Sequence, residues 1–217
     1  MGYPWAKDLV HIDFGWIKFK QQILSTRRGN IIFLEDVLNK SIELALKIIQ
    51  DKNPELENKE KVAFDVGIGA VVFADLSTRR QKDIDFNWEE VLNFEGQTGP
   101  YVQYTHARLC SLIRKYEEPV KSKIDFTIFS TEEEHSIIKR LEDYPGKIKL
   151  SAESYEPSIL CSYLLDLCSV FNRFYHKERI ITDDKTATDA RVLLVKGVQV
   201  VVKSGLNLLG MKAPERM

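Results

Sequence analysis

The spacing of apolar residues changes once along this chain, and that change constrains the fold more than any other feature. Over residues 9–20, apolar and polar residues alternate with β-branched and aromatic content, which predicts extended strand. After residue 30, apolar residues recur at spacings of three and four, which predicts helices. A polar loop at residues 24–30 separates the two patterns. The chain is therefore expected to be mainly helical, with an extended opening.

The chain is predicted to consist of two domains, residues 1–98 and 99–217, with the boundary in a turn-rich link at 94–100. Predicted helices begin near residues 35, 59, 88, 100, 132, 157 and 186. The helices after residue 99 are amphipathic and predict an antiparallel helix bundle. The opening strands have too few partners for an independent sheet, so residues 2–30 are expected to be the tail of a larger α/β domain.

The same patterns predict several local details. Gly67 and Gly69 lie inside a helical pattern, which favours close helix packing over phosphate binding. Gln103 is expected on a polar helix face, and the helix capped by Thr131 is expected to end near residue 143. The last helix is predicted to be capped by Thr186 with Asp189, and its narrow polar face is predicted to consist of Lys196, Gln199, Lys203 and Asn207.

Composition excludes several classes of protein. With 31 basic and 32 acidic residues the formal net charge is −1, so any nucleic-acid contact must come from local patches. The three cysteines have no C-x-x-C spacing and are expected to be buried thiols in a reducing cytoplasm. The four histidines are scattered, so no metal site is expected. No apolar run approaches the ~18 residues of a membrane span, so no membrane association is expected.

The loop at residues 24–30 is the main candidate for chemistry. Arg27 and Arg28 are adjacent, Ser25 and Thr26 add hydroxyls, and Gly29 favours a tight turn. Such a set of donors suits phosphate oxygens. No Walker pattern accompanies the loop, so a surface turn whose charges serve solubility stays an open alternative.

Longer motifs carry a family resemblance. Residues 24–36, LSTRRGNIIFLED, resemble the signature loop of arginyl-tRNA synthetases, a degenerate form of the class I lysine-serine-lysine-serine motif. The stretches DIDF at 83–86 and FEGQTGPYVQY at 94–104, and the ending from Ala190 and Arg191 to PERM at 214–217, resemble the family in the same order. The resemblance implies the last strands and signature loop of a Rossmann-type catalytic domain, followed by a helix-bundle anticodon-binding domain.

The resemblance also implies partners and site residues. The parent enzyme would use ATP, with Mg²⁺, to attach arginine to arginine tRNA. The implied catalytic residues are Ser25, Thr26 and Arg27, and the implied ATP-binding residues are these three with Arg28 and Gly29. Tyr101 matches a family tyrosine that stacks near the anticodon, and Met217 matches a residue close to the same loop. One departure is Leu24, where the family usually has methionine. The motif's first lysine also has no counterpart.

Three functions stay open at this stage. The family's second ATP motif, His-Ile-Gly-His, is absent from the sequence, so the chain resembles the C-terminal part of the ligase and is expected to be inactive alone. The alternatives are a stand-alone RNA-binding module and a helical interaction scaffold without RNA affinity. Pattern alone favours a core role for a tyrosine in a helical stripe. Arg79, Arg80 and Lys203 are further candidates for phosphate contacts.

Overall fold

The computed structural model describes residues 2–19, 22–23 and 32–217. A short 3₁₀ helix, Pro4–Asp8, precedes strands β1 (Ile17–Phe19) and β2 (Gln22–Ile23). The chain continues through α1 (Leu34–Lys52), α2 (Lys59–Ser77), β3 (Ile84–Phe86) and α3 (Trp88–Val91). It ends with the long helices α4 (Gly99–Tyr116), α5 (Glu132–Glu153), α6 (Ser158–Lys177) and α7 (Lys185–Leu208). The predicted mainly helical fold is confirmed, and each helix begins close to its predicted start.

The extended opening is shorter than its alternating pattern predicts. The sheet has the order β2-β1-β3, with β1 antiparallel to β2 and parallel to β3. Residues 9–16 form no strand, although strand was predicted over 9–20. The short strand β3 pairs in register only with Ile17–Phe19, and its Ile84 N–H donates to the Trp16 carbonyl at 2.9 Å. The apolar side chains before it, such as Leu9 and Phe14, are exposed.

Helices α1 and α2 form a closely packed pair. A Cβ atom on Gly67 would lie 2.7 Å from the backbone nitrogen of Ile42, so only glycine permits this crossing. The hydroxyl of Ser41 donates to the Gly67 carbonyl at 2.8 Å across the same contact. Around it, Ala45, Ile49, Val66 and other small or branched side chains form one core cluster. The prediction of close helix packing at Gly67 is confirmed.

Helices α4 to α7 form the bundle and enclose a second core. Helix α6 contributes a buried apolar stripe to this core, which consists of Leu160, Leu164, Leu167, Phe171 and Phe174. The cysteines Cys110, Cys161 and Cys168 are buried free thiols, as predicted. Burial raises the pKa of the Cys168 thiol to about 12, because the thiolate would lose its hydration. The domain division at residues 98 and 99 stays a prediction.

One predicted helix end and one predicted helix cap are wrong. Helix α5 continues to Glu153 and contains Pro145, although its end was predicted near 143. Proline removes one backbone donor, yet Tyr144 beside it is buried and bonds to Ser204 at 2.9 Å, so tertiary contacts hold the helix. The cap of α7 is Asp184, whose carboxylate accepts from the backbone N–H groups of residues 186 and 187.

The polar faces predicted for α4 and α7 are also partly wrong. Gln103 is fully buried and donates to the carbonyls of Asp65 at 3.1 Å and Lys212 at 2.9 Å. Gln199 is also buried, and its amide nitrogen lies 2.9 Å from Nε2 of His106. Asp189, predicted as part of a cap, instead accepts hydrogen bonds from Tyr116 and Lys121. Each of these side chains has a partner far away in sequence, which periodicity does not reveal.

Candidate nucleic-acid interface

One cavity lies where α1 meets the helices of the bundle. Its volume is about 610 Å³, and it opens between the end of α1, the link before α4, helices α4 and α6, and the C-terminal residues. Both residues implicated in RNA binding, Tyr101 and Met217, line it. The other lining residues are Ile48, Ile49, Lys52, Asn53, Phe94, Glu95, Tyr104, Arg108, Asn172 and His176. We call this space the aromatic cavity.

The start of α4 fixes the position of Tyr101. Thr98 caps the helix, and its hydroxyl accepts from the backbone N–H of Tyr101 at 3.2 Å. The ring is partly buried, and its hydroxyl accepts from the Asn172 amide at 2.9 Å. Burial raises the pKa of the Tyr101 hydroxyl, so the side chain stays neutral near pH 7. Tyr101 therefore presents a neutral aromatic surface in a defined orientation.

Arg108 is one turn from Tyr104 on the same helix and lies between two rings. Its guanidinium carbon is 5.1 Å from the ring centre of Tyr104 and 5.0 Å from that of Tyr175 on α6. Its Nη1 donates to the side-chain amide oxygen (Oδ1) of Asn172 at 2.7 Å. Across the part of the chain that the structure describes, no carboxylate forms an ion pair with Arg108. Its positive charge is oriented but not neutralised.

The tail after α7 brings Met217 to this cavity. Gly210, at φ +75°, ends α7 and turns the chain back. Four side chains then donate to four tail carbonyls: Gln103 to Lys212 at 2.9 Å, His106 to Pro214 at 2.9 Å, Arg114 to Glu215 at 3.2 Å and Asn53 to Met217 at 3.1 Å. The Met217 side chain packs with the core of α1 and α2.

A second cavity adjoins the first. Its volume is about 550 Å³, and it shares Asn53, Tyr104, Arg108 and Met217 as lining residues with the aromatic cavity. The remainder of its wall is Glu55, Leu56, Glu57, Ala107, Ser111, Arg114, Tyr175 and Arg216. We call it the arginine cavity, because three of its lining residues are arginines.

The structure describes only some of the predicted site residues. Tyr101 and Met217 meet at one cavity, whereas Ser25, Thr26, Arg27, Arg28 and Gly29 lie outside the described residues. Sequence reasoning identified neither Asn172 nor Arg108 as a site residue. The spacing of four between Tyr104 and Arg108 was the available signal for their contact.

Two of the proposed phosphate contacts are engaged elsewhere. Arg80 pairs with the Asp13 carboxylate and donates to the backbone carbonyl of Tyr155 at 3.2 Å, tying the opening segment to the bundle. Lys203 lies on α7 within 3.6 Å of the Glu215 carboxylate. Neither side chain lines either cavity. Arg79 is exposed and also lies outside both cavity walls.

Within residues 2–19, 22–23 and 32–217, no cluster of three or more His, Cys, Asp or Glu side chains could hold a metal ion. Over the same ranges, no helix is both long and apolar enough to cross a membrane.

Comparison with known proteins gives a consistent result. The family model described as the DALR anticodon binding domain matches residues 102–217, and that described as tRNA synthetases class I (R), catalytic domain, matches residues 1–88. The arginine–tRNA ligases of Halothermothrix orenii and Clostridioides difficile are 46% and 44% identical over the whole chain. The chain spans 38% of the length of each of these relatives.

A solved structure supports the same grouping. The Thermus thermophilus arginyl-tRNA synthetase superposes with a TM-score of 0.88 and 33% identity. The match covers 95% of this chain and 35% of that structure. The expected order, a class I catalytic part followed by a helical anticodon-binding domain, is therefore confirmed.

Proposed function

Because this chain belongs to the arginyl-tRNA synthetase family, we propose that it is part of an arginine–tRNA ligase and binds the anticodon loop of arginine tRNA in the aromatic cavity. The observation that carries the proposal is the convergence of Tyr101 and Met217 on one cavity. These two residues match the family's anticodon contacts, yet they are far apart in sequence and come from different elements.

The chemistry of the cavity suits an unpaired base. Proteins recognise RNA sequence mainly in single-stranded loops, whose bases stack on aromatic side chains and bond through their exposed edges. Tyr101, Tyr104 and Phe94 supply rings, while Asn53 and Asn172 supply amides that both donate and accept. Lys52 lies 5.6 Å from the ring centre of Phe94 and adds positive charge at the rim.

The catalytic part of the proposal rests on the family motif. In the parent enzyme, the arginine carboxylate would attack the α-phosphate of ATP, giving arginyl-adenylate and pyrophosphate, and the arginyl group would then pass to the terminal ribose of the tRNA. We assign Ser25, Thr26 and Arg27 to this reaction, and these three with Arg28 and Gly29 to binding ATP with Mg²⁺. Cationic and N–H donors at such a loop would stabilise the charge on departing pyrophosphate.

Two expectations follow for the chain itself. Since the sequence contains no His-Ile-Gly-His motif, we expect no charging of tRNA by this chain alone. If adding the remaining catalytic region of the ligase restores the charging of tRNA, this proposal is favoured over a stand-alone RNA-binding module. We assign the protein to the cytoplasm, a reducing compartment that suits its buried free thiols.

Substitution of Tyr101 tests the proposed site. Base stacking on a tyrosine contributes about 1–3 kcal/mol, so Tyr101→Ala should weaken binding of arginine tRNA by roughly 5- to 150-fold. Binding is measured by fluorescence anisotropy with labelled tRNA. Tyr155→Ala is the control, because Tyr155 is about half exposed, at 49%, and lines neither cavity. A Tyr101→Ala chain that folds normally and binds like the unaltered chain would remove Tyr101 from the site.

A further inference from the structure

The arginine cavity has no role in the proposal above, which concerns a base on Tyr101. We propose that this second cavity binds the phosphodiester backbone of the neighbouring nucleotides, with Arg108, Arg114 and Arg216 contacting the phosphates. This inference rests on the proposed function, because it needs an RNA strand bound at the aromatic cavity.

The positive charges of this cavity are available to a ligand. Arg108 has two rings and an amide as partners, and Arg114 donates to the backbone carbonyl of Glu215 at 3.2 Å. Arg216 is exposed. Among the described residues, none of the three forms an ion pair with a carboxylate. Guanidinium groups without an acidic partner are well suited to bind phosphate, which their planar donor pairs match.

The side chains that line the two cavities differ in polarity, and this difference matches that between a base and the sugar-phosphate backbone. The aromatic cavity combines aromatic rings and aliphatic side chains, which suit a flat base, with amide and charged side chains that can bond to the edge of a base. The arginine cavity is lined mainly by charged and polar side chains, as a phosphate and ribose require. Tyr104, Arg108 and Met217 belong to both walls, so a strand can pass from one cavity to the other along them.

Two carboxylates limit where the strand can run. Glu55 and Glu57, between α1 and α2, also line this cavity, and within the described residues neither forms an ion pair with its arginines. They would repel phosphate and so direct the backbone towards α4 and the tail. Their oxygens could accept hydrogen bonds from ribose 2′-hydroxyl groups, which DNA lacks.

The salt dependence of binding tests this inference. Each phosphate contact on a single strand adds about 0.7 to the slope of log affinity against log salt, so Arg114→Gln with Arg216→Gln should lower the slope by about 1.4. Between 50 and 200 mM salt, the unaltered chain should then lose about sevenfold more affinity than the double variant. The probe is an arginine tRNA transcript.

Controls separate this site from general charge and from misfolding. Lys123→Gln with Lys149→Gln removes the same charge from exposed residues outside both cavities and should leave the slope unchanged. Arg216→Gln alone should lower the slope by about 0.7 without removing any hydrogen bond of the tail.

Each outcome decides one proposal. If the transcript binds and needs Tyr101, but both arginine variants keep the full slope, the backbone site is refuted and the anticodon site stands. If the lysine control lowers the slope as much, the effect is general and the backbone site is again refuted. If the unaltered chain does not bind the transcript, the proposed function fails, and this inference fails with it.

Discussion

Replacing Asn172 with aspartate should separate the charge of Arg108 from its position. The Asn172 amide accepts from Arg108 at 2.7 Å and donates to the hydroxyls of Tyr101 at 2.9 Å and Thr105 at 3.3 Å. Aspartate keeps the size and the acceptor but places a negative charge beside the guanidinium. The Tyr101 hydroxyl can rotate and donate to the new carboxylate, so both side chains should stay in place.

The expected effects on stability and on binding therefore differ. One amide contact is lost at a cost of about 1 kcal/mol, but the bond from Arg108 becomes charge-assisted, so the net change should stay within about 1 kcal/mol. The neutralised arginine should lose its contact with phosphate. A hydrogen bond to a charged group contributes about 1.5–3 kcal/mol, so tRNA affinity should fall by roughly 10- to 150-fold.

Two assays on the same variant measure these quantities. Urea denaturation gives the change in unfolding free energy, and fluorescence anisotropy at 50 and 200 mM salt gives affinity and a salt slope lowered by about 0.7. Asn207→Asp makes the same charge change at an exposed residue of α7 outside both cavities. Wild-type affinity and slope for Asn172→Asp, or an equal loss for Asn207→Asp, would refute the reasoning.

Two further predictions concern stability. Gly67→Ala should destabilise the chain by about 1–2 kcal/mol in urea denaturation, because the new Cβ atom would lie 2.7 Å from the backbone nitrogen of Ile42. Gly146→Ala is the control and should be neutral or stabilising, because a Cβ atom there would have no other atom within 4 Å. Burial lowers the pKa of His106 in the folded chain. The neutral imidazole therefore contributes its full stabilisation above the unfolded-state pKa of about 6.5, and this stabilisation is lost as the pH falls through the pKa of His106 in the folded chain. Unfolding free energies between pH 8 and 5 should show this loss, and His106→Asn should flatten it; an unchanged pH profile in that variant would contradict the assignment.

The helices could be predicted from sequence because their apolar spacing is regular and local. The buried amides could not, because Gln103 and Gln199 lie in polar positions of the pattern and bond to partners distant in sequence. The end of α5 was predicted too early, near residue 143, because local rules do not reveal the contact of Tyr144 with Ser204.

The candidate site was only partly predictable. Tyr101 and Met217 were found because the family motifs point to them, not because of composition or spacing. Arg108 and Asn172 are 64 residues apart, and nothing in either local sequence indicates their bond. Likewise, both cavities depend on how the tail folds back after Gly210, where three side chains of α4 and one from the end of α1 bond to its carbonyls.

The most direct test of the account is the binding of this chain to arginine tRNA and to a non-cognate tRNA, each at two salt concentrations. We expect tighter binding of the arginine tRNA, weakening as salt rises, because the cavities read bases and neutralise phosphates together. Equal binding of both tRNAs would indicate that the chain contacts only the phosphate backbone of the tRNA and reads no bases. No binding to either would contradict the central claim that this chain carries a working anticodon site.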